Sequence, residues 1–311
     1  MSLFLGIVTS NYTTSVAVIA SDGRVIQKKR LLPVKAGERG IRQSDAVFHH
    51  TKAYPELLED LMKAVSEPIS AVGVSISPTT EKGSYMPCFL VGESVATALS
   101  SVLNVPLFKF SHQQGHIAAA LYSANKTELF SGKFIAFHVS GGTTDAVLCE
   151  CSNNTMKITP VASSNDLKAG QAVDRIGVKM GLLFPCGKEL EKLALKSEKI
   201  YKNKIKLYDG DCSLSGLENK CLKMLQSGES NEDTAKFLLS YIADTLSEMV
   251  KDIFGKYGEL PLVFAGGVMS NSIIREIITS RFNASFAEPE FSCDNAAGIA
   301  LLAKQNYEQS R

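Results

Sequence analysis

The strongest constraint on the fold is a unit that occurs twice. Residues Leu5–Ile19 set apolar β-branched runs on both sides of the small turn Ser10-Asn11-Tyr12-Thr13. Residues Ile135–Leu148 do the same around Ser140-Gly141-Gly142-Thr143. Apolar runs bounded by turn residues predict hairpin strands. Small turn residues let backbone N–H groups approach a ligand closely, which suits phosphate oxygens. Two such hairpins, about 130 residues apart, predict a duplicated lobe with a nucleotide held between the copies.

The remaining pattern follows the same duplication. Strands are expected over 3–8, 15–20 and 24–31, then a helix over 51–65, a strand over 71–77, a helix over 88–103, a strand over 106–110 and a helix from 112. The second half starts over with strands at 133–139, 145–150 and 155–161. Helices follow at 169–180, 188–195, 214–226 and 233–257, then strand 262–264, helix 270–279, strand 283–286 and helix 295–305. This is α/β layering, and three strands followed by helix–strand units, twice over, is the order of an actin-like, sugar-kinase-like duplicated fold. The expected lobes are residues 1–128, completed by the C-terminal helix 295–311, and residues 129–294, with a polar hinge around 123–132.

Bulk properties exclude several classes. The chain has 311 residues, 45% hydrophobic and 21% charged, with a net charge of +1, so it is not a polyelectrolyte binder as a whole. No apolar run reaches the length of a membrane span, and the first residues lack a signal-peptide pattern, so no membrane and a cytoplasmic location are expected. Seven cysteines without a Cys-x-x-Cys pair read as reduced thiols. Two local basic stretches stand out, Gln27 to Gln43 and Leu195 to Leu207. The second holds Lys196, Lys199, Lys202, Lys204 and Lys206 against only Glu198. A solvated face is the ordinary reading of such a run, and contact with a phosphate backbone is the alternative.

Four constellations carry candidate chemistry. His112-Gln113-Gln114-Gly115-His116 sets two imidazoles at i and i+4, on one helix face, where both reach one ion. Gln113 occupies the place of the general base in a His-Glu-x-x-His protease and cannot take a proton at neutral pH. Phe264 to Asn271 reads as strand, glycine turn and helix start, a place for an anion or a nucleotide edge, with Asn271 as base reader or cap. Asp294 stands at the expected start of the last helix, as a cap or as a carboxylate completing a metal site. Asp174 on the helix at 169–180 is a surface charge or a ribose contact.

Taken together, these motifs resemble the TsaD/OSGEP family, once called glycoprotease or O-sialoglycoprotein endopeptidase. The motifs are His112-x-x-x-His116, Ser140-Gly141-Gly142, the stretch from Asp174 to Gly187, Ser213-Leu214-Ser215-Gly216-Leu217, Gly266-Gly267-Val268 with Asn271, and Asp294-Asn295-Ala296-Ala297. The resemblance implies an α/β, actin-like ATPase (ASKHA, ribonuclease H-like) fold with two lobes. It also implies a transferase that moves a threonylcarbamoyl group from threonylcarbamoyl-AMP to a tRNA adenine. On this resemblance His112, His116 and Asp294 are metal ligands for iron, zinc or magnesium. The metal would join phosphate oxygens and the carbamate. Ser140, Gly141 and Gly142 are the phosphate turn, Asp174 and Gly187 the ribose contacts, and Gly267 and Asn271 the walls of the site for ATP or an adenylate. The implied partners are tRNA, the AMP-linked donor, and proteins of the tRNA-modifying complex or a second copy of the chain.

The chain also departs from the family pattern, as a divergent paralogue would. Tyr12 stands where an aspartate, a candidate catalytic carboxylate, is expected, so no catalytic residue is assigned. Ser77-Pro78-Thr79-Thr80 replaces a Gly-Pro-Gly loop, Thr143 a histidine, Gln171 a glutamate, and Cys186 a glycine. Tyr12 keeps open a second reading, an inactive actin-like nucleotide-binding subunit that partners a true transferase. A metallopeptidase is disfavoured by Gln113, and a sugar or acetate kinase by the histidine pair.

Overall fold

A computed structural model of the chain describes residues 2–33, 41–152, 155–291 and 296–310. Asp294 and Asn295 lie outside the described residues, as do Lys35 and Arg39 of the first basic stretch. The chain divides into two compact units. The first holds Met1–Ser131, Cys151–Lys157 and Glu290–Arg311, and the second Gly132–Glu150 and Ile158–Pro289.

The first unit runs β1 (Leu3–Thr9), β2 (Thr13–Ala20), β3 (Val25–Leu31), α1 (Gln43–Met62), β4 (Ile69–Ser77), α2 (Phe89–Leu103), β5 (Leu107–Ser111) and α3 (His112–Ser123). Its sheet order is β3-β2-β1-β4-β5, with β1 antiparallel to β2 and parallel to β4. Every residue of β1 and β2 is buried, because both faces are covered. Leu5, Ile7, Val16, Val18, Val72 and Val74 pack under α1 and α2. The opposite face carries Gly6 and Gly73, which admit the last helix of the chain, Ala297–Gln309. A Cβ on Gly6 would strike the backbone of Ala296 and Ala300.

The second sheet repeats the plan with β6 (Lys133–Val139), β7 (Thr144–Ser152), β8 (Thr155–Ser163), β9 (Leu262–Ala265) and β10 (Ala284–Phe286), all within the second unit but for the end of β7 and the start of β8. Its order, β8-β7-β6-β9-β10, traces the path of the first sheet strand for strand. Here too the first two strands are antiparallel and the fourth runs parallel to the first. This correspondence of topology is what the repeated hairpins predict. The helices between β8 and β9 are referred to by range: Ala169–Lys179, Gly187–Ala194, Ser215–Gln226 and Asn231–Tyr257. The longest, Asn231–Tyr257, supplies the centre of the core through Leu238, Leu239, Ile242, Leu246 and Ile253.

Among the described residues no helix is long and apolar enough to cross a membrane. Six cysteines among them are free and buried. Burial pushes the thiols of Cys88, Cys151 and Cys212 up to about 11 and that of Cys221 to about 12, so they pack as neutral side chains rather than as thiolates.

Candidate nucleotide and metal sites

In the second unit the turn between β6 and β7 is closed by its own serine. Ser140 N–H donates to the Thr143 carbonyl at 2.8 Å. The Ser140 hydroxyl oxygen accepts from Gly142 N–H at 3.1 Å and Thr143 N–H at 3.2 Å, and lies 3.0 Å from the Thr143 hydroxyl. Both amides are thus satisfied within the turn; with its lone pairs so used, the Ser140 hydroxyl donates to Thr143 Oγ1, and the Thr143 hydroxyl is the donor left for an anionic oxygen. Ideal Cβ atoms on Gly141, Gly187 and Gly267 would meet nothing nearby, so these backbones border open space.

Two other glycines have the opposite role, close approach. Gly170, in the first turn of helix Ala169–Lys179, donates its N–H to the Ser140 carbonyl at 3.0 Å. A Cβ there would lie 2.6 Å from Gly141 N and 2.7 Å from Ser140 C. The helix N-terminus, with its partial positive charge, is thereby seated against the turn. Gly266 has φ +101 and approaches the backbone of Val139 just before the turn, where a side chain would be both strained and blocked.

The expected ribose contact, Asp174, is half-buried. Its Oδ1 accepts from Cys186 N–H at 2.8 Å, and its Oδ2 has no bond among the described residues. Cys186 itself is fully buried and its side chain lies against Gly177, under the helix. The cysteine in place of a glycine thus turns into the core and leaves the open side at Gly187 clear. Gln171, in place of a glutamate, accepts from Lys168 N–H at 3.3 Å, so the amide oxygen still reaches back to the residue before the helix. Asn271 is buried and caps the helix Ser272–Thr279, its Oδ1 accepting from Ile274 N–H at 3.1 Å. That bond uses only the carbonyl end of the amide and spares its two donors. Glu191 accepts from Ser272 N–H at 2.7 Å, so the walls carrying Gly187 and Asn271 are tied together.

Sequence reasoning missed Asp166. Its carboxylate accepts from Leu167 N–H at 2.6 Å, Leu214 N–H at 2.7 Å, Ser213 Oγ at 2.5 Å and Ser215 N–H at 3.2 Å. Desolvation works against its charge, but these donors outweigh it and hold the group far below the usual carboxylate range. Asp166 therefore fastens the Ser213-Leu214-Ser215 motif to the segment leading into Gly170. Three of its four partners are 47 to 49 residues away, so no local spacing marks it.

In the first unit Ser111 starts α3 by a reciprocal cap. Its hydroxyl accepts from Gln114 N–H at 3.2 Å, and Gln114 Oε1 accepts from Ser111 N–H at 2.8 Å. This fixes His112 as the first helical residue and sets His116 one turn on. Their Nε2 atoms lie 2.9 Å apart, with ring centroids at 4.3 Å. Two nitrogens each about 2.1 Å from one ion and at right angles around it are about 3.0 Å apart, so the pair fits a shared metal. Among the described residues no group of three metal-ligating side chains is gathered, and the third expected ligand, Asp294, lies outside them. A Cβ on Gly298 would collide with the Gly115 carbonyl, so the helix that follows Asp294 crosses α3 at a residue between the two histidines. The Ser77-Pro78-Thr79-Thr80 loop also abuts α3, the Pro78 carbonyl accepting from Gln113 N–H at 3.0 Å.

Tyr12 is 41% exposed at the tip of the β1–β2 turn. Among the described residues, the side chains bonded to that turn are neutral: Gln43 Nε2 donates to Asn11 Oδ1 at 2.7 Å, and His50 reaches the Ser10 carbonyl and the Thr14 hydroxyl.

Comparison with known proteins agrees with this topology. The profile of the TsaD family, tRNA N6-adenosine threonylcarbamoyltransferase, matches residues 26–301. The protein of that name from Kosmotoga olearia is 30% identical over 319 residues, covering 99% of this chain and 93% of its own length. The one from Streptococcus suis (strain 05ZYH33) is 29% identical over 324 residues, covering 99% of this chain and 93% of its own length. Among solved structures, full-length HypF in a phosphate- and nucleotide-bound form superposes with a TM-score of 0.57 at 14% identity, over 99% of this chain and 55% of that one. A ROK family glucokinase from Streptomyces griseus gives 0.52 at 11% identity, over 97% and 98%. These two bear on the fold alone, which is the α/β actin-like ATPase (ASKHA) duplicated fold that the resemblance implied. By its profile match, its relatives and its sheet topology, this chain belongs to the TsaD family.

Proposed function

We propose that this chain is a tRNA threonylcarbamoyltransferase that holds an adenylate in its second unit and a divalent metal on His112, His116 and Asp294 in its first. The observation that carries the reading is the serine-closed turn at Ser140, with its open glycine backbone seated against a helix N-terminus. The Ser140-Gly141-Gly142 turn would border the phosphate of threonylcarbamoyl-AMP along its open Gly141 backbone, and the Thr143 hydroxyl, whose oxygen accepts from Ser140, would donate to a phosphate oxygen. Asp174 Oδ2 would accept from a ribose hydroxyl, and the Asn271 amide would donate to the base edge. In the transfer, the exocyclic amine of the tRNA adenine bonds to the carbamoyl carbon, the bond from that carbon to the phosphate oxygen breaks, AMP leaves with the bonding pair, and the amine releases one proton to solvent water. When bound, the metal supplies Lewis-acid stabilisation of developing negative charge. The protein's share is positioning and fixed dipoles.

The second reading, an inactive nucleotide-binding partner subunit, is favoured by Tyr12 in place of the expected aspartate and by the neutral side chains, among the described residues, bonded to its turn. The deciding experiment is threonylcarbamoyl transfer to tRNA by the purified chain, with and without cell extract. Transfer in either condition supports the enzyme, and transfer only with extract assigns a required partner. Its absence in both, with ATP still bound, supports the partner subunit. Separately, the wild type should carry about one divalent ion per chain, and His112→Ala should lose it and weaken ATP binding together. A His112→Ala protein that retains its metal removes these ligands from the proposal.

A further inference from the structure

The basic stretch after residue 195 is not an ordinary solvated run. Residues 201–207 belong to no helix or strand, and from 201 to 208 exposure alternates residue by residue, the period of an extended chain. The inward residues are fastened from behind. Tyr201 meets Phe237 edge-on at 5.3 Å. Asn203 donates from its backbone and its side chain to the buried Asp244, at 3.0 and 2.9 Å. Leu207 packs against the core. The outward residues are Lys202, Lys204, Lys206 and Tyr208.

The contrast with Lys199 is informative. That lysine is neutralised by Glu229 at 2.8 Å and Asp233 at 2.9 Å. Lys202 and Lys204 have no partner among the described residues, and Lys206 has only the Tyr208 ring, 5.1 Å from its Nζ. In an extended segment alternate residues are about 6.6 Å apart on one side. We propose that Lys202, Lys204 and Lys206 form a rail that tracks the phosphates of an RNA strand, with the exposed Tyr208 ring at its end as a platform for one base. The choice of RNA rests on the proposed action on tRNA. It is also the occupant that uses both the unpaired charges and the aromatic ring. The exposed Asp209 marks where the rail stops.

The test measures binding of unmodified tRNA to the full chain across a salt series, for the wild type and for Lys202→Gln/Lys204→Gln/Lys206→Gln. Three lost phosphate contacts should flatten the slope of log affinity against log salt by about 2 and weaken binding roughly 100-fold at 0.1 M salt. Tyr208→Ala should weaken binding about tenfold with the slope unchanged. Unaltered melting and ATP affinity establish that the variants are folded. A slope that does not change in the triple variant, or a wild type that binds no tRNA, overturns the rail. So does a triple variant that loses only binding to phosphatidylserine vesicles or to polyglutamate. If transfer proceeds while the triple variant keeps its slope, the rail falls and the function stands. If transfer is absent while the slope still depends on the lysines, the function falls and the rail stands.

Discussion

The two hairpin turns occupy the same place in the same strand order, yet they are held in different ways. In the second unit the turn is braced from within, by Ser140, and from one helix, by Gly170. Its two central residues are glycines, and the first of them borders open space. In the first unit the turn's serine hydroxyl donates to the Thr13 carbonyl at 3.3 Å, and distant side chains add the rest of the bracing. Ser10 N–H donates to the Thr13 carbonyl at 3.1 Å, Gln43 holds Asn11, and the fully buried His50 lies beneath. The Ser10 carbonyl can only accept, so His50 Nε2 carries the hydrogen and Nδ1 accepts from the Thr14 hydroxyl. One turn is open to a ligand. The other is a fixed part of a buried polar network with a bulky phenol at its tip. Duplication kept the backbone path, and side chains then divided the labour.

That contrast can be broken most severely at Gly170. Gly170→Val should cost about 3 kcal/mol, the range for a buried clash with fixed backbone, and should abolish detectable ATP binding by calorimetry. Retained ATP affinity in a folded variant would separate the helix start from the phosphate turn.

The next effect belongs to the first turn alone and depends on pH. Desolvation by burial lowers His50 from 6.5 to about 4, against its hydrogen bond to Ser10 and with help from His49. Between those two pH values the unfolded chain binds a proton that the folded chain refuses, so acid favours unfolding. Stability should fall by about 2 kcal/mol from pH 7 to pH 5 and be insensitive to this group above pH 7. Urea midpoints would show it, and His50→Gln should remove that pH dependence.

Tyr12→Asp tests whether the first turn lacks only its acid. Transfer should rise about tenfold, less than a well-placed base provides, with little change in melting because the site is exposed. An unchanged rate would exclude this position as the missing base. The smallest effect is expected at Ser140. Ser140→Ala strips the acceptor from two amides and should cost about 1 kcal/mol, with a few-fold loss of ATP affinity.

Much of this was legible in the sequence because it is local. The hairpins, the glycine turns, the i and i+4 histidines and the cap at Asn271 are all written within a few residues. What escaped is long-range. The sequence predicts a helix from 51, whereas α1 begins at Gln43. Its first three residues, Gln43-Ser44-Asp45, are polar and Arg42 before them makes no capping side-chain hydrogen bond, so nothing nearby in the chain announces the start. Gln43 is held instead across the fold, donating to Asn11 and accepting from Cys88 N–H at 3.2 Å. Asp166 and His50 escaped for the same reason, since their decisive partners are tens of residues away. Cys186 looked like a damaged glycine because sequence alone does not say which way a side chain turns.

The contact between Gly6 and the helix Ala297–Gln309 has a consequence for biosynthesis. A ribosome delivers β1 before the second unit and this helix only after the whole of the second unit has emerged. The first sheet must therefore wait, one apolar face uncovered, while residues 132–150 and 158–289 already have their full complement of core partners. The helix Ala297–Gln309 completes the first unit, and nascent chains halted before it should expose the first sheet for chaperones to shield.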